Sequence, residues 1–180
     1  MNTLIFFHGF GSNGSSKTAE LIKATFPELN VLAPLYNTKN ADEAVASLTK
    51  IVNEVLESED TEKMYLVGNS LGSFFANYFS NKHRKPVVII NPSLDPANNL
   101  EKYNPAENVD CESFKKYYTT DEEGVEKIVV LGKLDDVIPY ETFMERFENR
   151  FQIFLNESMG HRVTSIEEIK PAINKLINNF

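Results

Sequence analysis

Residues 63–79 read KMYLVGNSLGSFFANYF. The apolar run 64–67 has the length of a buried parallel strand and is apolar on both faces. It breaks into Gly68-Asn69-Ser70-Leu71-Gly72, and a helical pattern follows. A serine in a G-x-S-x-G pentad between strand and helix sits on a tight, strained turn that exposes its hydroxyl, with small residues on either side so that strand and helix can approach. The stretch therefore predicts a strand–turn–helix unit with Ser70 as a candidate nucleophile.

A serine hydroxyl attacks poorly unless a base takes its proton, and the base must itself be oriented by a carboxylate. On a strand–turn–helix scaffold the chain order should be serine, then acid, then histidine. The chain has three histidines. His8 precedes the serine. His83, in NKHRK at the end of the helix after Ser70, is expected to be solvated and favoured by the helix C-terminus. His161, in NESMGHR after the last strand, is the well-placed base. For the acid, residues 128–139 read IVVLGKLDDVIP. Both Asp135 and Asp136 follow a strand, at the sheet edge where ligands bind in open α/β folds. Physics alone does not separate them.

Acyl chemistry also needs N–H donors aimed at the developing oxyanion. One is expected from Leu71, next to the nucleophile. The other is expected from the loop after the first strand, residues 8–11, His-Gly-Phe-Gly, with Phe10 as the donor and Gly9 and Gly11 contacting substrate. That loop has a competing reading. From Gly11 it runs G-S-N-G-S-S-K-T, one residue away from the phosphate-binding G-x-x-x-x-G-K-[ST], with Ser16 where the nest needs glycine. No strand runs directly into a magnesium-binding aspartate, so nucleotide hydrolysis is disfavoured.

The rest of the chain alternates short apolar runs with amphipathic segments, the pattern of a parallel sheet covered by helices on both faces. Strands are predicted at 4–7, 31–33, 64–67, 87–90, 128–131 and 151–155. The clearest helix runs from Ala41 to about Leu56, capped by Asn40 and burying Val45, Leu48, Ile51, Val52, Val55 and Leu56. Ser165 and Glu168 resemble a capping box, with Pro171 forcing a kink or a later helix start. Residues 92–125 are polar and mixed, and read as an insertion, either a lid or loose decoration, that builds most of the substrate pocket.

At 180 residues the chain is long enough for one domain, 1–180, with a full core. Its formal net charge of −8 argues against a nucleic-acid surface or an anionic membrane as partner. Its one cysteine, Cys111, is a bystander and allows no internal disulfide. No apolar run approaches the ~20 residues of a membrane span. The start, Met1-Asn2-Thr3, enters a strand directly, so a cytoplasmic location is expected.

Taken in order, H-G-F, G-N-S-L-G, G-K-L-D-D-V-I-P and G-H resemble the α/β-hydrolase superfamily over nearly the whole chain. The superfamily's acid motif is similar to G-x-x-D-x-x-V-P, and residues 132–139 fit it with Asp135 as the acid. More closely the chain resembles the YqiA-like small esterases, which share the opening H-G-F strand, the S-L-G turn and an N-P after the next strand, here Asn91-Pro92. The resemblance implies a small carboxylesterase for short acyl chains, with no metal or other cofactor. Two positions depart from it: Ser73 stands where a second glycine is usual, and Arg162 follows the histidine. The expected architecture is a three-layer α/β sandwich of the α/β-hydrolase type, with a six-stranded, mainly parallel sheet in the order 2-1-3-4-5-6. The expected chemistry is attack of Ser70 on a small-molecule acyl ester. A thioesterase or peptidase on the same residues, or a binding protein on a hydrolase scaffold, is the alternative.

Overall fold

The computed structural model describes residues 1–12, 16–103, 106–120 and 124–180. Six strands, β1 (Thr3–Phe7), β2 (Asn30–Leu32), β3 (Met64–Asn69), β4 (Val87–Ile90), β5 (Lys127–Gly132) and β6 (Gln152–Asn156), form one sheet in the order β2-β1-β3-β4-β5-β6. Every pairing is parallel. The order reverses between β1 and β3, and a ligand crevice forms where the order of a parallel sheet reverses.

Successive strand residues point to opposite faces, and the two faces bury separate clusters. Ile5, Phe7, Leu66, Ile89 and Val129 pack under α2 (Ala41–Glu57), α3 (Leu71–His83) and α6 (Glu141–Phe147). Leu4, Phe6, Val67, Val88 and Val130 pack under α1 (Lys17–Thr25) and α7 (Lys170–Asn179). The result is the predicted three-layer α/β sandwich.

Several local expectations hold. Asn40 caps α2, its side chain accepting from Glu43 N at 3.0 Å. Ser165 and Glu168 form a capping box, but on a 3₁₀ turn (Ile166–Glu168), and Pro171 enters as one of the first residues of α7, where its missing N–H removes no helical bond. Others need correction. Leu56 is exposed and Ile51 only half-buried, because the buried stripe of α2 is narrower than its apolar residues. His83 does not sit in solvent. It stacks on Phe79, and burial together with Lys82 and Lys85 pushes its pKa down, against the helix C-terminus.

The insertion carries α4 (Pro96–Tyr103) and α5 (Cys111–Lys115). Its residues 104–105 and 121–123, like 13–15 of the glycine-rich loop, lie outside the described residues. It is not loose decoration. Phe114 is 0% exposed, packed against Phe74 and Phe75 of α3, and Ser113 Oγ accepts from Ala41 N at 2.8 Å. A fully buried phenylalanine stabilises by roughly 2–3 kcal/mol, which ties the insertion to the main core.

Candidate active site

At the carboxyl end of β3 the chain turns through Ser70 with φ 53 and ψ −122, a region that L-residues rarely occupy. The surroundings hold it there. Ser70 N donates to Ile90 O at 2.8 Å, and Ser70 O accepts from Ser73 N at 2.9 Å and from Ser93 N at 3.1 Å. The flanking glycines are required by contact rather than by torsion. A Cβ on Gly72 would lie 2.0 Å from Phe7 O, and one on Gly68 would lie 2.5 Å from Gly72 O. Ser73, where the resembling family has glycine, is completely buried. Its hydroxyl donates to Gly68 O at 2.9 Å and accepts from Ile90 N at 3.3 Å, bracing β3 against β4 below the turn.

His161 arrives on the loop after β6. Its Nε2 lies 3.0 Å from Ser70 Oγ, and its Nδ1 lies 2.9 Å from Asp135 Oδ2. The other carboxylate oxygen, Asp135 Oδ1, accepts from Val137 N at 2.9 Å and Ile138 N at 2.8 Å. The Asp135 side chain is 1% exposed and the His161 side chain 19%. Asp136 points outward and is exposed, although it lines the same cleft. The loop separates the two aspartates physically, because its backbone N–H groups fold back onto Asp135, the one that the motif resemblance singles out. A hydroxyl bonded to an imidazole whose other nitrogen meets a carboxylate can give up its proton as it attacks a carbonyl.

The loop after β1 forms the facing wall. Gly9 to Ser12 make a turn closed by Ser12 N donating to Gly9 O at 3.2 Å, with Gly11 at φ 65, the torsion a type II turn demands at its third residue. Gly11 N donates to Thr38 Oγ1 at 3.3 Å. Phe10 is the second residue of the turn, whose N–H the turn does not use. Leu71 opens α3, and its N–H has no acceptor within the helix. Phe10, Leu71, Gly9 and Gly11 all line one cleft with Ser70 and His161, of about 1000 Å³. His8 stands apart from the line of Asp135, His161 and Ser70. It is 1% exposed, stacks on Tyr36 at 4.2 Å, receives the Tyr36 hydroxyl bond on its carbonyl, and has its pKa lowered by burial.

Sequence reasoning missed Asn91. It occupies φ 41, a conformation asparagine tolerates better than most residues. Its Oδ1 accepts from Gly132 N at 2.7 Å, and its Nδ2 donates to Gly160 O at 2.9 Å and His161 O at 3.2 Å. One side chain thus joins the end of β4 to the acid loop and to the histidine loop. The signal was an asparagine closing a strand before proline. The pocket also differs from expectation. Among the described residues of the insertion, Ser93 and Leu100 reach the cleft, and most of its lining comes from residues 6–12, 16–18, 69–71, 136–138 and 158–168. Among the described residues, no group of three or more His, Cys, Asp or Glu side chains is arranged to hold a metal ion, and no helix is long and apolar enough to cross a membrane.

Comparison with known proteins agrees with this architecture. The UPF0227 protein YcfP of Escherichia coli O9:H4 (strain HS) is 23% identical over 165 residues, 91% of this chain and 92% of that protein. Mouse alpha/beta hydrolase domain-containing protein 10 superposes with a TM-score of 0.74 at 14% identity, covering 98% of this chain and 90% of its own. Est1E from Butyrivibrio proteoclasticus, with ferulic acid bound, superposes with a TM-score of 0.75 at 13% identity, covering 99% and 89%. Those structural likenesses establish the α/β-hydrolase fold. Residues 3–178 match the family described as Uncharacterised protein family (UPF0227), and the chain belongs to that family.

Proposed function

We propose that the protein is a serine hydrolase that cleaves carboxylic esters of short or small acyl groups through an acyl-enzyme. Ser70 attacks the ester carbonyl while His161 takes its proton. The tetrahedral oxyanion is held by the N–H groups of Phe10 and Leu71. His161 then returns the proton to the leaving oxygen, and a water activated by the same ring releases the acid. Asp135 keeps the imidazole in the tautomer with hydrogen on Nδ1, and offsets the charge the ring gains. Gly9 leaves room for substrate beside the serine, since its Cβ position would lie only 3.3 Å from Ser70 Cβ.

The observation that carries this reading is the unbroken line from Asp135 Oδ2 through both nitrogens of His161 to Ser70 Oγ, with steps of 2.9 and 3.0 Å. Fluorophosphonate labelling, with the adduct located by mass spectrometry, tests it. Labelling at Ser70 in the wild type, strongly slowed in His161→Ala, is the expected result. A folded wild-type protein that leaves Ser70 unlabelled would favour a binding protein on the same scaffold. Parallel turnover of ester, thioester and amide substrates then ranks the acyl classes.

A further inference from the structure

One flank of the cleft lies beyond the residues assigned so far. It is built by the first turn of α1 and the segment after His161, and it carries Lys17, Thr18, Arg162 and Glu168. The cap of α1 uses Ser16, whose side chain accepts from Ala19 N at 3.2 Å and whose carbonyl accepts from Glu20 N at 3.1 Å. The N–H groups of Lys17 and Thr18 have no acceptor inside the helix, and α1 presents the positive end of its dipole there. The Thr18 side chain is nine-tenths buried, at 6% exposure, and lines the cleft; among the described residues its hydroxyl has no hydrogen-bond partner. Among those residues neither Lys17 nor Arg162 has an ion-pair partner. Two carboxylates belong to these segments, Glu20 in the first turn of α1 and Glu168, which lines the cleft and is held by local hydrogen bonds. Glu168 Oε2 accepts from Thr164 N at 2.8 Å and its Oε1 accepts from Thr164 Oγ1 at 2.7 Å. In a chain of net charge −8, two cations, an unpartnered hydroxyl and a helix N-terminus therefore line the same cleft.

We infer that this flank binds an oxyanion, a carboxylate or a phosphate monoester, carried by the leaving group of the substrate. The assignment to the leaving group rests on the hydrolase reading. His161 protonates the leaving oxygen, so that part of the substrate lies on the His161 side of Ser70, and Arg162 is the next residue along. An anionic alcohol would place its charge against Arg162 and Lys17, with Thr18 Oγ1 and the free N–H groups of α1 donating to it. The glycine-rich stretch that resembles a phosphate loop thus has two uses: its first residues shape the oxyanion turn, and its last residues receive a permanent anion.

Two measurements test this. The first compares kcat/KM for 3-acetoxybenzoate and for neutral phenyl acetate. The anionic ester should be preferred by about tenfold, the size of one partly exposed charge-assisted hydrogen bond. The ratio should fall towards one in Arg162→Gln and in Lys17→Gln, and invert in Arg162→Glu. Both side chains are exposed, so folding is not at stake. Preference for a carboxylate on the acyl side, read with phenyl hemisuccinate, would overturn the leaving-group assignment. The second measurement needs no turnover. Benzoate and phenyl phosphate are titrated calorimetrically into Ser70→Ala, with and without the Lys17→Gln/Arg162→Gln pair. Salt-sensitive binding that the pair abolishes supports the site, and the tighter of the two ligands names the anion. Equal binding with and without the pair, or none in either protein, overturns it. Turnover of both esters at equal kcat/KM, with neither anion bound, would sink this inference and leave the hydrolase standing. Anion binding that the pair abolishes, with no ester turned over, would leave the anion site standing and sink the hydrolase reading together with the leaving-group assignment.

Discussion

Replacing Asn91 by alanine should injure stability and nucleophile reactivity together, by separable amounts. The asparagine accepts from Gly132 N at 2.7 Å and donates to the carbonyls of Gly160 and His161. Gly132 is buried, so its N–H would be left without a partner, at a cost of roughly 1–3 kcal/mol. The two carbonyls sit in a half-exposed loop and regain water, so they add about 1 kcal/mol together. Alanine at φ 41 adds roughly 1 kcal/mol more, because its Cβ crowds the carbonyl in the left-handed region. The sum is about 3–5 kcal/mol, measurable by urea unfolding followed by circular dichroism. The histidine loop also loses its tether, and a displacement of about 1 Å can slow chemistry on the order of a hundredfold. The decisive assay is a double-mutant cycle on the rate of fluorophosphonate labelling. In a His161→Ala background, Asn91→Ala should keep its full stability cost and lose its effect on labelling. A stability loss below about 1 kcal/mol with unchanged labelling would refute the tether, and equal slowing in both backgrounds would show that Asn91 does not act through His161.

Gly72→Ala should abolish soluble folded protein or labelling, because its Cβ would meet Phe7 O at 2.0 Å and backbone cannot yield as a side chain can; a normal thermal melt with normal labelling would contradict the contact. Asp135→Asn should slow labelling far more than Asp136→Asn, since only Asp135 meets His161; comparable slowing by both would undo the assignment. The folded pKa values of His8 and His83 lie below the ordinary 6.5, so acid protonates the unfolded chain more readily and favours unfolding. Their contribution is whole above pH 6.5 and declines as pH falls below it towards the folded values. His83→Gln should therefore flatten the fall of the urea midpoint below that pH, and a steeper fall would reverse the sign.

How much of this was legible follows from what each element depends on. Strands apolar on both faces announced themselves, and the strand order followed from the resemblance to the α/β-hydrolases. Their ends did not. β5 opens on Lys127, which is buried at 1% exposure with its Nζ donating to Asn77 Oδ1 at 2.6 Å, and a lysine reads as a strand boundary until its partner, fifty residues away, is known. Ser70 and His161 were readable because spacing and chain order constrain them. The choice between Asp135 and Asp136 depends on which carboxylate the loop's own N–H groups turn towards, and that is tertiary. Asn91 acts through three backbone groups, which carry no sequence label at all. Phe114 looked like part of a polar loop because it, Tyr117 and Tyr118 form only a short cluster in a stretch otherwise polar, yet Phe114 decides where the insertion packs.

The turn at Ser70 and the loop after β1 both belong to the first half of the chain, and Gly72 lies so close to the end of β1 that a Cβ there would meet Phe7 O at 2.0 Å. Asp135 and His161 belong to the last third, on loops that follow β5 and β6, the last two strands in chain order. On the ribosome, chain emerges in that order. The serine can be set in its strained turn early, as an ordinary alcohol with no base beside it. The imidazole reaches it only once β6 and the loop after it are in place. A truncated or half-made copy would carry the serine turn without the imidazole and carboxylate that stand in line with it in the complete fold.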